Sequence, residues 1–380
     1  MFVGRSMAMT GILTVALDRR ALGDISPKGR VIVASHCVSR EHPMDLRAYT
    51  RTYCDKDNRL AALSYFGTFA IYFLALTVAI RYAEIWYLML SAGGVFAFAA
   101  VRLYVLQHDT GHHSLFETRI QNEIAGHVLS PFTFAPFEVM KQNHNEHHAY
   151  VGNLEHRESG EIHTMTLREW QAAGWAQRLA YRLYRNPLVL VPLGAAFTYF
   201  IRYRWPKNTL RFGVSGVILH NVVIVLLLAL LYAVAGTTGV LVWLGFSFFG
   251  GMIGVFLVYL QHNFEDTYWD RRPDLNPQVA ALQGSSCLDF GWFFDFAVAN
   301  ITLHDIHHFN ARIPSYRLRR CHHNLPPEIA PRRIKFTEAI RAMGLKLWDE
   351  DQQRLVPFPP ANAPGAPVTA TGQTNRQEPS

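Results

Sequence analysis

The sequence predicts an all-α integral membrane protein, with four transmembrane helices in two hairpins and a cytoplasmic helical cap rich in histidine. Three observations predict it. Only 17% of the 380 residues are Asp, Glu, Lys or Arg, against roughly 25% in a typical soluble domain. No charged residue stands between Arg211 and Glu265. The chain has 18 histidines, and many of them sit in three short clusters beside apolar segments. With 50% apolar residues, most of the chain can bury a core and is not disordered. Cys37, Cys54, Cys287 and Cys321 form no CxxC, which excludes a disulfide framework and an iron–sulfur site.

The elements follow in order. Residues 1–59 read as an N-terminal cytoplasmic segment, of which 1–45 carry little structural signal. The early apolar stretch is short, is broken by Asp18-Arg19-Arg20 and lacks a cleavage pattern, so no signal peptide is expected. A first span covers about 60–80 and a short link 81–85. A second span covers about 86–106 and contains only Arg102, close enough to the helix end to snorkel. The run Leu188–Ile201 is short and holds Pro192, so it reads as a helix at the interface or dipping into it. The charge-free block is long enough for two spans of about 20 residues: about 212–235 and 240–260, joined at Gly236-Thr237-Thr238-Gly239. The membrane and cap domain then covers 60–326, followed by a C-terminal cytoplasmic segment, 327–356. The tail 357–380, rich in Pro, Ala, Thr and Gln, reads as disordered. The alternative for each apolar segment is a buried helix of a soluble protein. Two hairpins put all the long segments on one face. Lys and Arg at that boundary, including Arg202, Arg204, Lys207 and Arg211, make the face cytoplasmic by the positive-inside rule.

The first histidine cluster is His108-Asp109-Thr110-Gly111-His112-His113, the second His144-Asn145-Glu146-His147-His148 and the third His304-Asp305-Ile306-His307-His308. Positions i, i+3 and i+4 share a helix face, so each cluster can aim two or three imidazoles at one point. Eight such rings make a poor core, because each carries a donor and an acceptor needing partners. Neutral imidazole is a good ligand for iron, zinc or copper. A tetrahedral zinc takes four ligands, and eight or nine suit two metals. The clusters follow the second span and the fourth, with two spans between the second cluster and the third, so all three can meet on one side. His262, beside the end of the fourth span, reads as a ninth ligand; the alternative is an interfacial histidine bonded to backbone. Asp109, Glu146 and Asp305 can accept from ligand N–H groups, or serve as solvated or capping residues. His113 can join them. His127, His156, His163, His220, His322 and His323 lack the clustered geometry and read as structural.

The order of hairpin, two boxes, hairpin and third box, from about Ala61 to Pro326, resembles the membrane-bound fatty acid desaturases, most closely the bacterial acyl-lipid Δ12 (ω-6) group. The stretches Gln261–Trp269, Leu282–Ser286 and Arg312–Tyr316 also look like features of that group. The resemblance implies a cap holding a di-iron site, with His108, His112, His144, His147, His148, His304, His307 and His308 as ligands and His262 beside them. It implies two iron ions, O₂ as co-substrate and removal of two hydrogens from an acyl chain in the bacterial inner membrane. Some desaturases place Asn one turn before the extra histidine; here that position is Val258, which argues against the stearoyl-type branch.

Abstraction of hydrogen from an unactivated CH₂ is beyond any side-chain acid or base, so a metal must carry it. A bent apolar tunnel is expected to position the fatty acyl lipid, with aromatics around Phe290–Phe296 lining it or serving as interfacial residues. No haem-binding, cysteine-cluster or dinucleotide motif is present, so a separate ferredoxin or cytochrome b5 with its reductase is implied. Arg317, Arg319 and Arg320 can dock an acidic donor or lipid headgroups. No nucleic-acid partner is expected. Three other readings share the histidines: a di-iron lipid, alkane or carotenoid hydroxylase or ketolase; a membrane zinc hydrolase; and a non-enzymatic metal-binding receptor.

Overall fold

The computed structural model describes residues 45–157, 162–205, 210–211, 213–272, 274–326 and 332–360. The expectations for residues 1–44, for Lys207, for a helix start at Phe212 and for the tail beyond residue 360 lie outside the described residues.

Helix α1 (Leu46–Arg51) is capped by Asp45 and precedes α2 (Asn58–Arg81), whose cap Asp57 accepts from the N–H groups of Arg59 and Leu60. Helix α3 (Trp86–Gly111) runs back along α2. It continues past the expected end at 106, so His108 lies within the helix and His112 caps it. Arg102 has defined polar partners. Its Nε donates to Thr68 Oγ1 at 3.0 Å and its Nη2 to Ser64 Oγ at 3.2 Å, both on α2, while Nη1 donates to the carbonyl of Phe296. The guanidinium faces α2, where hydroxyls replace the water it would otherwise seek.

Helices α4 (Arg119–Thr133) and α5 (Phe137–Tyr150) follow, then α6 (Leu167–Ala172), α7 (Trp175–Tyr184) and α8 (Pro187–Ala196). A π-turn over Phe197–Ile201 completes the run read as interfacial, and a 3₁₀ turn over Arg202–Arg204 follows it. The longest element is α9 (Val214–His262), 49 residues with non-helical dihedrals at Gly236, φ 62° and ψ −160°. Straight, it would span about 74 Å. Instead, Val217 near its start belongs to the same core cluster as Phe137 and Met140 of α5, and His262 at its end meets His147 of α5 at 4.9 Å between ring centroids. A 14-residue helix is only about 21 Å long, so α9 doubles back at Gly236. Helix continues on both sides of that residue, and the expected four-residue turn is one broken position.

Asn58–Arg81, Trp86–Gly111 and Val214–His262 are each long and apolar enough to cross a membrane. The second half of α9 packs on α3. A Cβ at Gly93 would lie inside the Phe246 ring, and one at Gly250 would lie 3.0 Å from the carbonyl of Ala97. Trp243 Nε1 donates to Tyr72 Oη at 2.7 Å, joining α9 to α2.

The cap is completed by α10 (Pro277–Gln283), α11 (Trp292–Ala297), α12 (His304–Phe309), α13 (Ser315–His323) and α14 (Phe336–Ala342). The expectation of an all-α fold needs correction. Strand β1 (Cys287–Asp289) pairs in parallel with β2 (Arg333–Lys335), and β3 (Leu347–Asp349) pairs antiparallel with β4 (Arg354–Val356). At three residues each, these strands are too short for a period-2 pattern to stand out. Residues 332–360 fold back onto the cap: Trp348 is buried, and Phe358 stacks on Trp170 at 4.7 Å. A disordered tail starting at 357 is therefore corrected for 357–360, because Phe358 has an aromatic partner that sequence distance hides.

Candidate metal centre

Four segments bring the nine histidines together. The end of α3 supplies His108 and His112, α5 supplies His144, His147 and His148, the last residue of α9 is His262, and α12 supplies His304, His307 and His308. They form two groups, each with ligand atoms within 4.8 Å of one another: His108, His112, His144, His148 and His307 in one, and His147, His262, His304 and His308 in the other.

Each cluster thus aims two of its imidazoles at one point, as its spacing allows, and not three. Every i, i+4 pair stays together, whereas His147 and His307, each at i+3, join the opposite group from the other two rings of their own clusters. Neighbouring helical residues point about 100° apart, so His147 and His148 face different ways. The two HxxHH helices are thus interlocked, each serving both groups.

Hydrogen bonding alone cannot satisfy these rings. An imidazole nitrogen offers either one hydrogen or one lone pair. Yet Nε2 of His308 faces Nε2 of His147 at 3.1 Å and of His304 at 3.0 Å. Nε2 of His148 likewise faces His144 at 2.8 Å and His307 at 3.1 Å. Nε2 of His108 and of His112 is buried with no hydrogen-bond partner. His262 Nδ1 lies 2.9 Å from the carbonyl of Gly284. That oxygen can only accept, so Nδ1 carries the proton and the Nε2 lone pair points toward His304 at 3.2 Å. Burial, and then the neighbouring imidazoles, push His112, His144, His148, His304, His307 and His308 well below the ordinary histidine range. The same causes act on His147. Neutral rings with converging lone pairs fit a cation at the centre of each group.

The flanking residues have distinct partners. Asp109 Oδ1 lies 3.5 Å from His108 Nδ1, and its Oδ2 accepts from the N–H of Ser315 at 2.8 Å, at the start of α13. Asp305 is fully buried; Oδ1 accepts from the N–H of Ile306 at 2.8 Å and Oδ2 has no hydrogen-bond partner. Burial raises its carboxyl to about 7. The Glu146 carboxylate meets Arg211 at 2.7 Å, and the His113 ring meets Glu123 at 2.7 Å. Of the histidines read as structural, His220 bonds Ser130 at 2.6 Å and Arg204 at 2.8 Å. His127 lies near Glu123 and Glu138 in a third group. Lys141 sits 2.8 Å from Glu123 and 3.5 Å from Glu138, so it offsets part of the charge of that group and bonds Glu123 the more closely.

Sequence reasoning missed two contributors: the Gly284 carbonyl, which sets the His262 tautomer, and the Ser315 N–H, which ties Asp109 to α13. Both are backbone groups, so no residue type marks them. The stretches containing them, Leu282–Ser286 and Arg312–Tyr316, were visible only by resemblance. Of the aromatics around Phe290–Phe296, Trp292, Phe293 and Phe296 are exposed, whereas Phe290 and Phe294 pack against the core. Their helix lies against α3 through the Phe98–Phe294 contact at 5.8 Å. A small apolar cavity lined by Val101, Tyr104, Tyr199, Gly251 and Gly254 lies beside the turn of α3 that leads to His108.

Comparison with known proteins adds independent findings. A family model described as fatty acid desaturase matches residues 84–339. A fatty acid desaturase of Bacillus subtilis (strain 168) is 31% identical over 299 residues, 78% of this chain and 83% of that one. An sn-1 oleoyl-lipid 12-desaturase of Anabaena variabilis is 24% identical over 243 residues, 62% of this chain and 67% of its own. A chloroplastic sn-2 acyl-lipid omega-3 desaturase (ferredoxin) of Helianthus annuus is 26% identical over 297 residues, 72% of this chain and 63% of its own.

Proposed function

Because the chain belongs to the fatty acid desaturase family, and is therefore an oxidoreductase and a membrane protein, we propose that it is an O₂-dependent acyl-lipid desaturase of the Δ12 (ω-6) type. The substrate of this reading is a monounsaturated C16–C18 acyl chain that receives a second double bond. The observation that carries it is the pair of histidine groups, five and four rings, each suited to one metal ion. The Δ12 assignment is supported by the Anabaena relative, whose name specifies an oleoyl-lipid 12-desaturase. Four spans follow from counting α9 as two, broken at Gly236, with the cap on the cytoplasmic face of a bacterial inner membrane.

In this reading His108, His112, His144, His148 and His307 hold one iron, and His147, His262, His304 and His308 hold the other. The pair would supply, with O₂ and two external electrons, the oxidising power to convert –CH₂–CH₂– to –CH=CH– while two protons are taken up and two waters formed. The protein's own contribution is positional. The interlocked α5 and α12 fix the two groups side by side. The Gly284 carbonyl holds His262 in the tautomer that offers Nε2. Asp109 ties the first cluster to the helix that follows the third. Burial keeps the rings neutral and water scarce. The electron donor is a ferredoxin or a cytochrome b5; the name of the Helianthus relative includes a ferredoxin.

The test is expression in an oleate-rich host with an active donor, followed by gas chromatography–mass spectrometry with double-bond localisation. A new dienoic acid whose second double bond lies at Δ12 is expected, absent without oxygen. Hydroxy acids, or an unchanged profile with an active donor and two irons bound, would sink this reading.

A further inference from the structure

Helices α4 and α5 and the first half of α9 enclose a cleft of about 390 Å³. Its walls are Val128, Phe132, Phe137, Val217, Val223 and Leu227. A water occupies about 30 Å³ in the liquid, so the cleft admits about a dozen groups of that size, the bulk of an acyl segment. Its back is closed by a saturated polar chain. Arg204 can only donate, and does so to His220 Nε2 at 2.8 Å; the His220 proton then sits on Nδ1, toward Ser130 Oγ at 2.6 Å, and Ser130 donates to the carbonyl of Ala135 at 3.0 Å.

The mouth is different. His127 Nδ1 lies 2.9 Å from the carbonyl of Glu123, so in the neutral ring Nδ1 donates and Nε2 presents a lone pair. Pro131 inside α4 has no N–H to give the carbonyl of His127. Glu138 adds a carboxylate, with Oε1 4.0 Å from His127 Nε2 and Oε2 3.5 Å from Lys141 Nζ. The mouth therefore presents mainly acceptors. On both flanks the cleft runs into exposed apolar stripes: Ile120, Ile124 and Val128 on α4, and Leu219, Val222 and Leu226 on α9. An apolar slot with acceptors at one end, opening between stripes suited to hydrocarbon, matches an amphiphile from the bilayer.

We propose that this cleft seats one acyl chain of a bilayer glycerolipid whose headgroup bears N–H or O–H donors, held at His127 and Glu138. The proposal rests on the reading of α9 as membrane-embedded. It is tested with the full chain in nanodiscs of phosphatidylethanolamine or phosphatidylcholine, each doped with the same lipid carrying a photoreactive acyl chain, and adducts are mapped by mass spectrometry. Adducts should concentrate on residues 128–139 and 216–227, several-fold above the lipid-exposed stretch 63–74 of α2, and several-fold more with ethanolamine than with choline. A Cβ at Gly216 meets nothing within 4 Å, so Gly216→Phe fills the cleft without a backbone clash and should remove these adducts while sparing those on α2. Glu138→Gln should weaken the headgroup preference, independently of the first variant. Labelling no denser than on α2, equal labelling by the two headgroups, or crosslinking of a second copy into the cleft would overturn the proposal. Products are assayed separately, so a dienoic product without cleft adducts defeats only this proposal, and cleft adducts without product defeat only the reaction.

Discussion

At the scale of single residues, the centre depends on backbone groups as much as on imidazoles. Replacing His307 by Ala removes a ring from the five-histidine group, while its helix still serves the other. Four rings remain in the depleted group, as many as the other group has, so metal should be held more weakly and product should vanish; retained activity would refute the ligand assignment. Asp109 makes a different contribution. It accepts the buried N–H of Ser315 at the positive end of α13. Asp109→Ala leaves that donor unsatisfied, at a cost of about 1–3 kcal/mol, whereas Asp109→Asn keeps an acceptor and should retain most of the stability. Thermal unfolding of the metal-free protein in detergent separates the two variants, and equal melting temperatures would dismiss the tie. The types and spacing of the nine histidines were legible in the chain, because helical periodicity puts i and i+4 together. The exchange of His147 and His307 between groups was not, because it depends on how α5 and α12 cross.

At the scale of elements, α9 carries the sharpest prediction. Its reversal needs a residue at φ 62° and ψ −160°, a region open essentially only to glycine and worth about 1–3 kcal/mol of strain otherwise. Gly236→Val should lower the unfolding midpoint and the yield of folded protein in membranes, measured by fluorescence size-exclusion chromatography of a tagged chain; Gly245→Ala should be tolerated, since Gly245 has no positive φ and a Cβ there meets nothing within 4 Å. A Gly236→Val variant as stable as the parent would mean that the break can move along the helix. The charge-free block announced the long apolar helix and Gly236–Gly239 announced its break, since both are local. The paired strands β1 to β4 were not legible, because each is only three residues and finds its partner through the packing of the cap.

At the scale of the whole molecule, the prediction is a side. With the cap cytoplasmic, a cysteine placed at exposed Glu84, in the link between α2 and α3, should react with a membrane-impermeant thiol reagent in intact cells. One placed at exposed Arg320 should react only after permeabilisation. The reverse pattern would invert the positive-inside reading. The amino-acid sequence by itself determined the membrane class, the long apolar helices and the clustered spacing of the histidines, because apolar length and helical period are properties of neighbouring residues. Only the tertiary structure decided that the rings divide five and four, that the Gly284 carbonyl orients His262, that Asp109 is tied to Ser315 and that α9 folds back onto α5. Those outcomes depend on how segments distant in the chain cross, where local spacing carries no information about direction.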